Sequence, residues 1–243
     1  MSTKRVAIVT GGTGALGRTI VKKLSDEGII IYVPSRTLEE FNKIFDSSQD
    51  KKSEYFELRK IYGFVCNAVD ENSVIGFVND VASKENGNID YLINTVGGIS
   101  QSANIVDLTT DTLDKMIDLN FKSTFYFTRE VLKFMQKKSY GRILSIGAMA
   151  ALEPAPGRFA YSFAKAGVIN LMDTISEEMK DLNIRCNTII PSILDTAANR
   201  EWGSPEDIKK WIKPEEVAEI IYDFVSDEFS SIRGSNIKVY GAY

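Results

Sequence analysis

Tyr161 and Lys165, in the run Tyr161-Ser162-Phe163-Ala164-Lys165, are the side chains of this sequence best suited to moving a proton. Residues four apart share one face of a helix, so the phenol and the ammonium reach a common cleft. A neighbouring ammonium favours phenolate over phenol, which brings the tyrosine toward a pKa useful in acid–base chemistry. Tyr161 is thereby a candidate proton donor to a carbonyl, with Lys165 tuning it. Competing chemistries are few, because none of the 243 residues is histidine. A Ser-His-Asp triad, an HExxH zinc site and an imidazole base are all excluded. Cys66 and Cys186 stand alone, without a CxxC pattern. That spacing argues against a disulfide framework or metal knuckle, so no metal ligand is assigned.

A second signature lies near the amino terminus. Thr10-Gly11-Gly12-Thr13-Gly14-Ala15-Leu16-Gly17 follows an apolar run and opens a helical one, and Gly12, Gly14 and Gly17 satisfy GxGxxG. Glycines let the backbone turn sharply and approach a pyrophosphate, while the following helix offers unpaired N–H groups and a positive dipole end. Between a first strand and a helix, this pattern points to dinucleotide binding. An acidic residue roughly 20 positions further on usually accepts the ribose 2′-hydroxyl. Here Ser35 stands in its place, followed by Arg36 and Thr37. A carboxylate would repel a 2′-phosphate, whereas a cation and hydroxyls suit one, so NADP(H) is favoured over NAD(H).

The elements that must position these groups show in the periodicity. Short apolar, β-branched runs recur at Val6–Val9, Ile29–Val33, Ile61–Val65, Tyr91–Ile93, Arg142–Ile146, Arg185–Ile190 and Ile237–Val239. Helical patterns separate them, such as Val74, Ile75, Phe77, Val78 and Val81 after a cap at Asp70. Alternating strands and helices predict an α/β protein with a parallel sheet, covered by helices on both faces, in one domain over residues 1–243. Two helical stretches are apolar over a broad arc. One holds Leu113, Met116, Ile117, Phe121, Phe125, Phe127 and Val131, the other Phe163, Val168, Ile169, Leu171, Met172 and Ile175. Core packing and a subunit interface both account for such arcs. Ser47 to Glu57 is polar and is expected to be a solvated helix end or loop. Residues 192–213, with Asn199, Arg200, Trp202, Gly203 and Pro205, are long for a structureless connection and suggest a mobile lid. With 33 acidic against 29 basic residues the net charge is −4, which argues against nucleic acid as a partner. The start from Met1 lacks a signal-peptide h-region, and no run of about 18 apolar residues appears. We therefore expect no membrane span and a cytoplasmic location.

Taken together, these motifs resemble the short-chain dehydrogenase/reductase family, over essentially the whole chain. Gly11, Gly12, Thr13, Gly14, Leu16 and Gly17 fall in its glycine-rich motif, with Ala15 in place of the middle glycine. Asn94-Thr95-Val96-Gly97 is similar to the turn after the fourth strand on the adenine side of the cofactor. Asn67, with Ala68 beside it, stands at the adenine-contacting aspartate position. Asn120 matches the asparagine that kinks its helix and holds a water of the proton relay. Tyr161 and Lys165 match the catalytic pair. Pro191-Ser192-Ile193-Leu194-Asp195-Thr196 resembles the segment beside the nicotinamide, with Ser192 for glycine. The resemblance implies a Rossmann fold, doubly wound, with seven parallel strands in the order 3-2-1-4-5-6-7. It implies NADP(H) contacts from Ser35, Arg36, Pro191, Leu194 and Thr196 besides the residues above, and a homodimer or homotetramer.

One departure is large. The family serine, about thirteen residues before the tyrosine, falls on Ala148, and Ser145 should point to the other face of its strand. Gly147-Ala148-Met149-Ala150-Ala151-Leu152 with Pro156-Gly157 is similar to quinonoid dihydropteridine reductases, which also lack that serine. The expected activity is hydride transfer to a carbonyl or imine-type small molecule, with Tyr161 as proton donor. Reduction of 3-oxoacyl thioesters on acyl carrier protein, and cofactor binding with weak catalysis as a regulator, are the alternatives. A shifted register bringing in another hydroxyl is a further way to make good the missing serine. A methyltransferase would give no reason for Tyr161 and Lys165 to coexist with Pro191 to Thr196.

Overall fold

All five residues of β1 (Val6–Thr10) are buried, because alternation along a strand sends its side chains to two separate cores. Val6 and Ile8 enter one, Ala7 and Val9 the other. The same double burial explains the continuous apolar runs of the inner strands, whereas the edge runs Ile61–Val65 and Asn236–Val239 are half-buried to exposed. In this computed structural model, residues 4–45 and 60–242 are described, so the stretch from Ser47 to Glu57 lies outside the described residues.

The chain then alternates as expected. After β1 come α1 (Ala15–Asp26), β2 (Ile30–Ser35), α2 (Leu38–Phe45), β3 (Ile61–Val65), α3 (Glu71–Lys84) and β4 (Tyr91–Asn94). Next are α4 (Thr110–Ile117), α5 (Ser123–Lys138), β5 (Tyr140–Ile146), α6 (Phe159–Glu178) and β6 (Asn183–Pro191). The chain closes with α7 (Ala197–Arg200), α8 (Pro205–Ile208), α9 (Pro214–Val225) and β7 (Asn236–Val239). The seven strands form one sheet in the order β3-β2-β1-β4-β5-β6-β7, every pair parallel. It is the doubly wound Rossmann architecture. Its order reverses between β1 and β4, where the carboxyl ends of the strands leave a crevice for ligands.

Helices cover both faces. Phe77, Val78 and Val81 of α3, Phe127, Val131 and Met135 of α5, and Met172 and Ile175 of α6 pack on one. Ile20, Val21 and Leu24 of α1 with Val217, Ile221 and Val225 of α9 pack on the other. The broad arcs of α5 and α6 thus divide: their inner residues are core, while Phe121 and Phe125 are half-buried and Phe163 is exposed and stacked on exposed Phe159. Asp70 caps α3 as expected, its carboxylate accepting from the Ser73 N–H at 2.7 Å.

Pro34 lies inside β2, a strand with neighbours on both sides. Pairing with β1 ends at Tyr32, whereas pairing with β3 continues to Ser35. Ile30 donates toward β1 and Ile31 toward β3, so Pro34, at an even position, faces the side where the ladder has stopped. A missing N–H costs nothing there.

Residues 192–213 are not the structureless connection expected. They form the two short helices α7 and α8, capped by the side chains of Thr196 and Ser204, and a bridge joins Leu194 to Ile212. Local caps satisfied by Thr and Ser hydroxyls supply order that apolar periodicity does not reveal.

At the pole opposite the crevice, Asp90 ties the ends of several elements together. Its carboxylate, 3 % exposed, accepts from the Val6 N–H at 2.8 Å, Lys138 Nζ at 2.9 Å and Arg5 at 3.2 Å. Nearby, fully buried Arg142 bonds Asp227 at 3.0 Å and the carbonyl of Asn183 at 3.0 Å. Removing Asp90 leaves a buried N–H and two cations without their acceptor, so Asp90→Ala is expected to cost about 3 kcal/mol. The midpoint of urea unfolding should fall accordingly, and an unchanged midpoint would show that the network contributes nothing.

Candidate active site

The glycine-rich turn joins β1 to α1 in the crevice. Gly14 is the N-cap of α1, with no side chain capping the helix start and no acidic residue in its first turn. A Cβ on Gly17 would stand on the Gly11 carbonyl, and Gly11 itself takes φ 64°. Only glycine allows this close approach, and it leaves the first N–H groups of α1 facing the crevice. Such a cradle fits a pyrophosphate. Gly12 packs against Val33, and Leu16 is buried in the core below, so these two shape the turn.

The ribose end differs from expectation. Ser35 is buried, and its hydroxyl donates to the Thr37 carbonyl at 3.0 Å. The Thr37 hydroxyl accepts from the Glu40 N–H at 3.1 Å at the start of α2. Of the three residues read as phosphate ligands, Arg36 and Thr37 are exposed, Arg36 by 83 %. Its guanidinium already contacts Glu40, at 3.2 Å from Nε and 3.4 Å from NH2. Glu40 also accepts from Thr13 Oγ1 at 2.9 Å. Asn67 stands exposed at the end of β3, accepting from the Val69 N–H, with Ala68 packed against the core beside it. Asn94 does not face the crevice: its amide donates to Thr128 and Ser145, both at 3.1 Å, fastening β4 to β5 and α5.

Around the expected nicotinamide end, Asn120 lies in a five-residue π-helical segment, Asp118–Lys122, between α4 and α5. Its fully buried side chain accepts from the Gly98 N–H at 3.0 Å and donates to the Gly98 carbonyl at 2.9 Å. Across this turn, a Cβ on Gly97 would come within 2.8 Å of Asn120 Oδ1 and 3.1 Å of Lys165 Nζ. Lys165 is buried and donates to the Ile146 carbonyl at 2.7 Å. Burial pushes its pKa down to about 8.

Tyr161 lies one turn earlier on α6, half-buried. Burial outweighs every charge near it and pushes its pKa up to about 12. Lys165, desolvated and turned to the Ile146 carbonyl, does not offset that rise. The cation that opposes the rise is Arg158. Arg158 precedes Tyr161 by three residues, so both lie on one helix face. They line one pocket with Ser100, Gln101 and Leu108. The guanidinium donates only to the Ser100 carbonyl, at 3.3 Å, and no carboxylate pairs with it among the described residues. Sequence reasoning missed both Arg158 and Glu40. Their signals, spacings of three from Tyr161 and four from Arg36, were present but not distinguishable from ordinary surface charge.

Ala148 is buried just beyond the end of β5. Ser145 is fully buried behind the sheet, accepting from Asn94, and the β5–β6 register sets it opposite Thr188. Pro191 ends β6, buried; Leu194 packs on the core, and the Thr196 hydroxyl accepts from the Asn199 N–H as the cap of α7.

Comparison with known proteins defines the class. The sequence model described as short chain dehydrogenase matches residues 5–207, and the chain belongs to that family of oxidoreductases acting on CH-OH and C=O groups. Among its relatives, a 3-oxoacyl-[acyl-carrier-protein] reductase of Thermotoga maritima is 27 % identical over 98 % of this chain and 96 % of its own length. A 7alpha-hydroxysteroid dehydrogenase of Clostridium sardiniense is likewise 27 % identical, over 98 % of this chain and 93 % of its own. The solved structure of ElxO with NADP bound superposes with a TM-score of 0.88, at 26 % identity over 99 % of both chains. An NAD-bound xylitol dehydrogenase, at 24 % identity and a TM-score of 0.85 over 99 % of this chain and 100 % of its own, shares the fold. The chain is thus an NAD(P)-dependent oxidoreductase, and among the described residues no helix is long and apolar enough to cross a membrane.

Protonation of these two groups gives a pH dependence. A phenol at about 12 stays protonated through neutrality, while Lys165 loses its charge above about 8. Carbonyl reduction should therefore be level below about pH 7 and decline as pH rises through about 8, in a profile of kcat/KM, which reports the free protein. A profile level to about pH 10 would overturn the role of the lysine charge.

Proposed function

We propose that this protein is an NADP(H)-preferring reductase that delivers hydride to a carbonyl or imine-type small molecule, with Tyr161 as proton donor. The observation that carries this reading is the phenol held protonated in a pocket beside an unpaired cation and one turn from a buried lysine. Gly11, Gly12, Thr13, Gly14 and Gly17 would cradle the pyrophosphate, Arg36 the 2′-phosphate, and Asn67, Ala68 and Gly97 the adenosine side. Pro191, Leu194 and Thr196 would border the nicotinamide. The cofactor supplies the hydride once bound.

Tyr161 gives the proton of its hydroxyl to the substrate oxygen or nitrogen. Lys165 holds the nicotinamide ribose and, as an ammonium, favours the phenolate that this transfer leaves behind. Asn120, its side chain committed to Gly98, fixes the turn beside Lys165 and the place from which a water resupplies the proton. Residues 192–213 close over the substrate, with exposed Trp202 lying against buried Trp211 at 5.0 Å between ring centroids. A homo-oligomer would bury the exposed faces of Phe159 and Phe163.

Ala148 bears on the substrate. A site short of one hydrogen-bond donor loses about 10² to 10³ in rate on an unactivated oxyanion. An activated carbonyl or imine, of which a quinonoid dihydropterin is an example, needs that donor least. The reductases of 3-oxoacyl thioesters among the relatives favour a thioester as the second reading. Arg158, lining the pocket of Tyr161, supplies positive charge beside the phenol.

The decisive experiment is Tyr161→Phe, which should lower kcat by about 10² or more while NADPH affinity stays within about twofold. An unchanged kcat would sink the assignment. Arg158→Ala should lower kcat by about tenfold, with partial recovery in Arg158→Lys, and equal rates in all three proteins would remove Arg158 from the reaction.

A further inference from the structure

The hollow beside the glycine-rich turn is lined by Arg36, Thr37, Glu39, Glu40 and Lys43. Its charges cancel: Arg36 and Lys43 are opposed by Glu39 and Glu40. A 2′-phosphate entering this hollow finds Arg36 already engaged by Glu40, so its attraction to the guanidinium is weakened while that carboxylate stays in place. Glu40 is the better placed of the two. It bonds Thr13 of the turn at 2.9 Å and Arg36 at 3.2 Å, so it bridges the two residues between which the adenosine ribose would lie.

We propose that Glu40 is the residue that sets cofactor choice, delivering from α2 the carboxylate that β2 lacks and competing with a 2′-phosphate for Arg36 and Thr13. The inference rests on the cofactor reading given above. Its chemistry is an exchange of hydrogen-bond acceptors. With NADH, the carboxylate keeps Arg36 and can also accept the ribose 2′-hydroxyl, as an acidic residue at the end of the second strand does in NAD-binding sites. With NADPH, the phosphate takes over the guanidinium, for which a planar fork is well suited, and Glu40 must turn away. The side chain has room to do so, because Arg36 is exposed and Glu40 is about one-third exposed. Its carboxyl is held below the usual carboxylate range, by Arg36 first and then by Thr13, so it is charged at neutral pH.

The test is calorimetric titration of NADPH and NADH into the whole protein and its variants, with no substrate present. Glu40→Gln keeps the shape and removes the charge. It should tighten NADPH by about tenfold or more and leave NADH unchanged or weakened within about threefold. Adding Arg36→Ala to that variant should abolish the gain for NADPH, since the freed guanidinium is its source. Glu40→Gln with unchanged or weaker NADPH binding overturns the proposal, as does a gain that persists without Arg36. Wild type that binds neither cofactor overturns the dinucleotide reading itself, and the role of Glu40 with it.

Discussion

The bond pair between Asn120 and Gly98 holds the rest of the site in place. One side-chain amide satisfies both the N–H and the carbonyl of a single glycine, and it also reaches the Met116 carbonyl at 3.1 Å. Reaching two backbones at once requires the helix to bulge, which is why a π-helical segment separates α4 from α5. The clamp fixes the turn after β4 against the π-helical segment, and Lys165 Nζ of α6 lies in the space left where Gly97 has no side chain. A larger residue at position 97 would meet the clamp and the lysine together.

Burial acts on Tyr161 and Lys165 in opposite senses, raising one pKa and lowering the other. Each shift favours the neutral form of its group, yet at neutral pH the phenol is intact and the lysine still largely charged. One turn apart on α6, an intact phenol and an ammonium thus stand in their ordinary protonation states at neutral pH, with burial working against the charge of each.

How far sequence foretold structure varies by the kind of information. The sheet was legible because each buried strand had to be apolar on both faces, and the β3 run Ile61–Val65 and the cap at Asp70 stand where expected. The strand ends were less so: β2 continues through Pro34 because its ladder with β1 has already stopped, a fact of register between strands distant in sequence. The glycine-rich turn was legible since close approach leaves only glycine. Site electrostatics were not. Whether Lys165 serves Tyr161 or the Ile146 carbonyl, and whether Arg36 is free or held by Glu40, depends on rotamers chosen among competing partners. Ser35 and Asn94 show the same limit, their types suiting a ligand while their partners are internal. The helices α7 and α8 were hidden for another reason, since four-residue helices carry too little periodicity to be seen.

Both tryptophans of the protein, Trp202 and Trp211, lie in the segment between β6 and α9, one 63 % exposed and the other 6 %. Their rings are close enough to exchange excitation, and no indole elsewhere dilutes the signal. Unlabelled protein excited in the red edge of indole absorption consequently reports on this one segment. The fold has placed an intrinsic optical probe in the segment that joins β6 to α9.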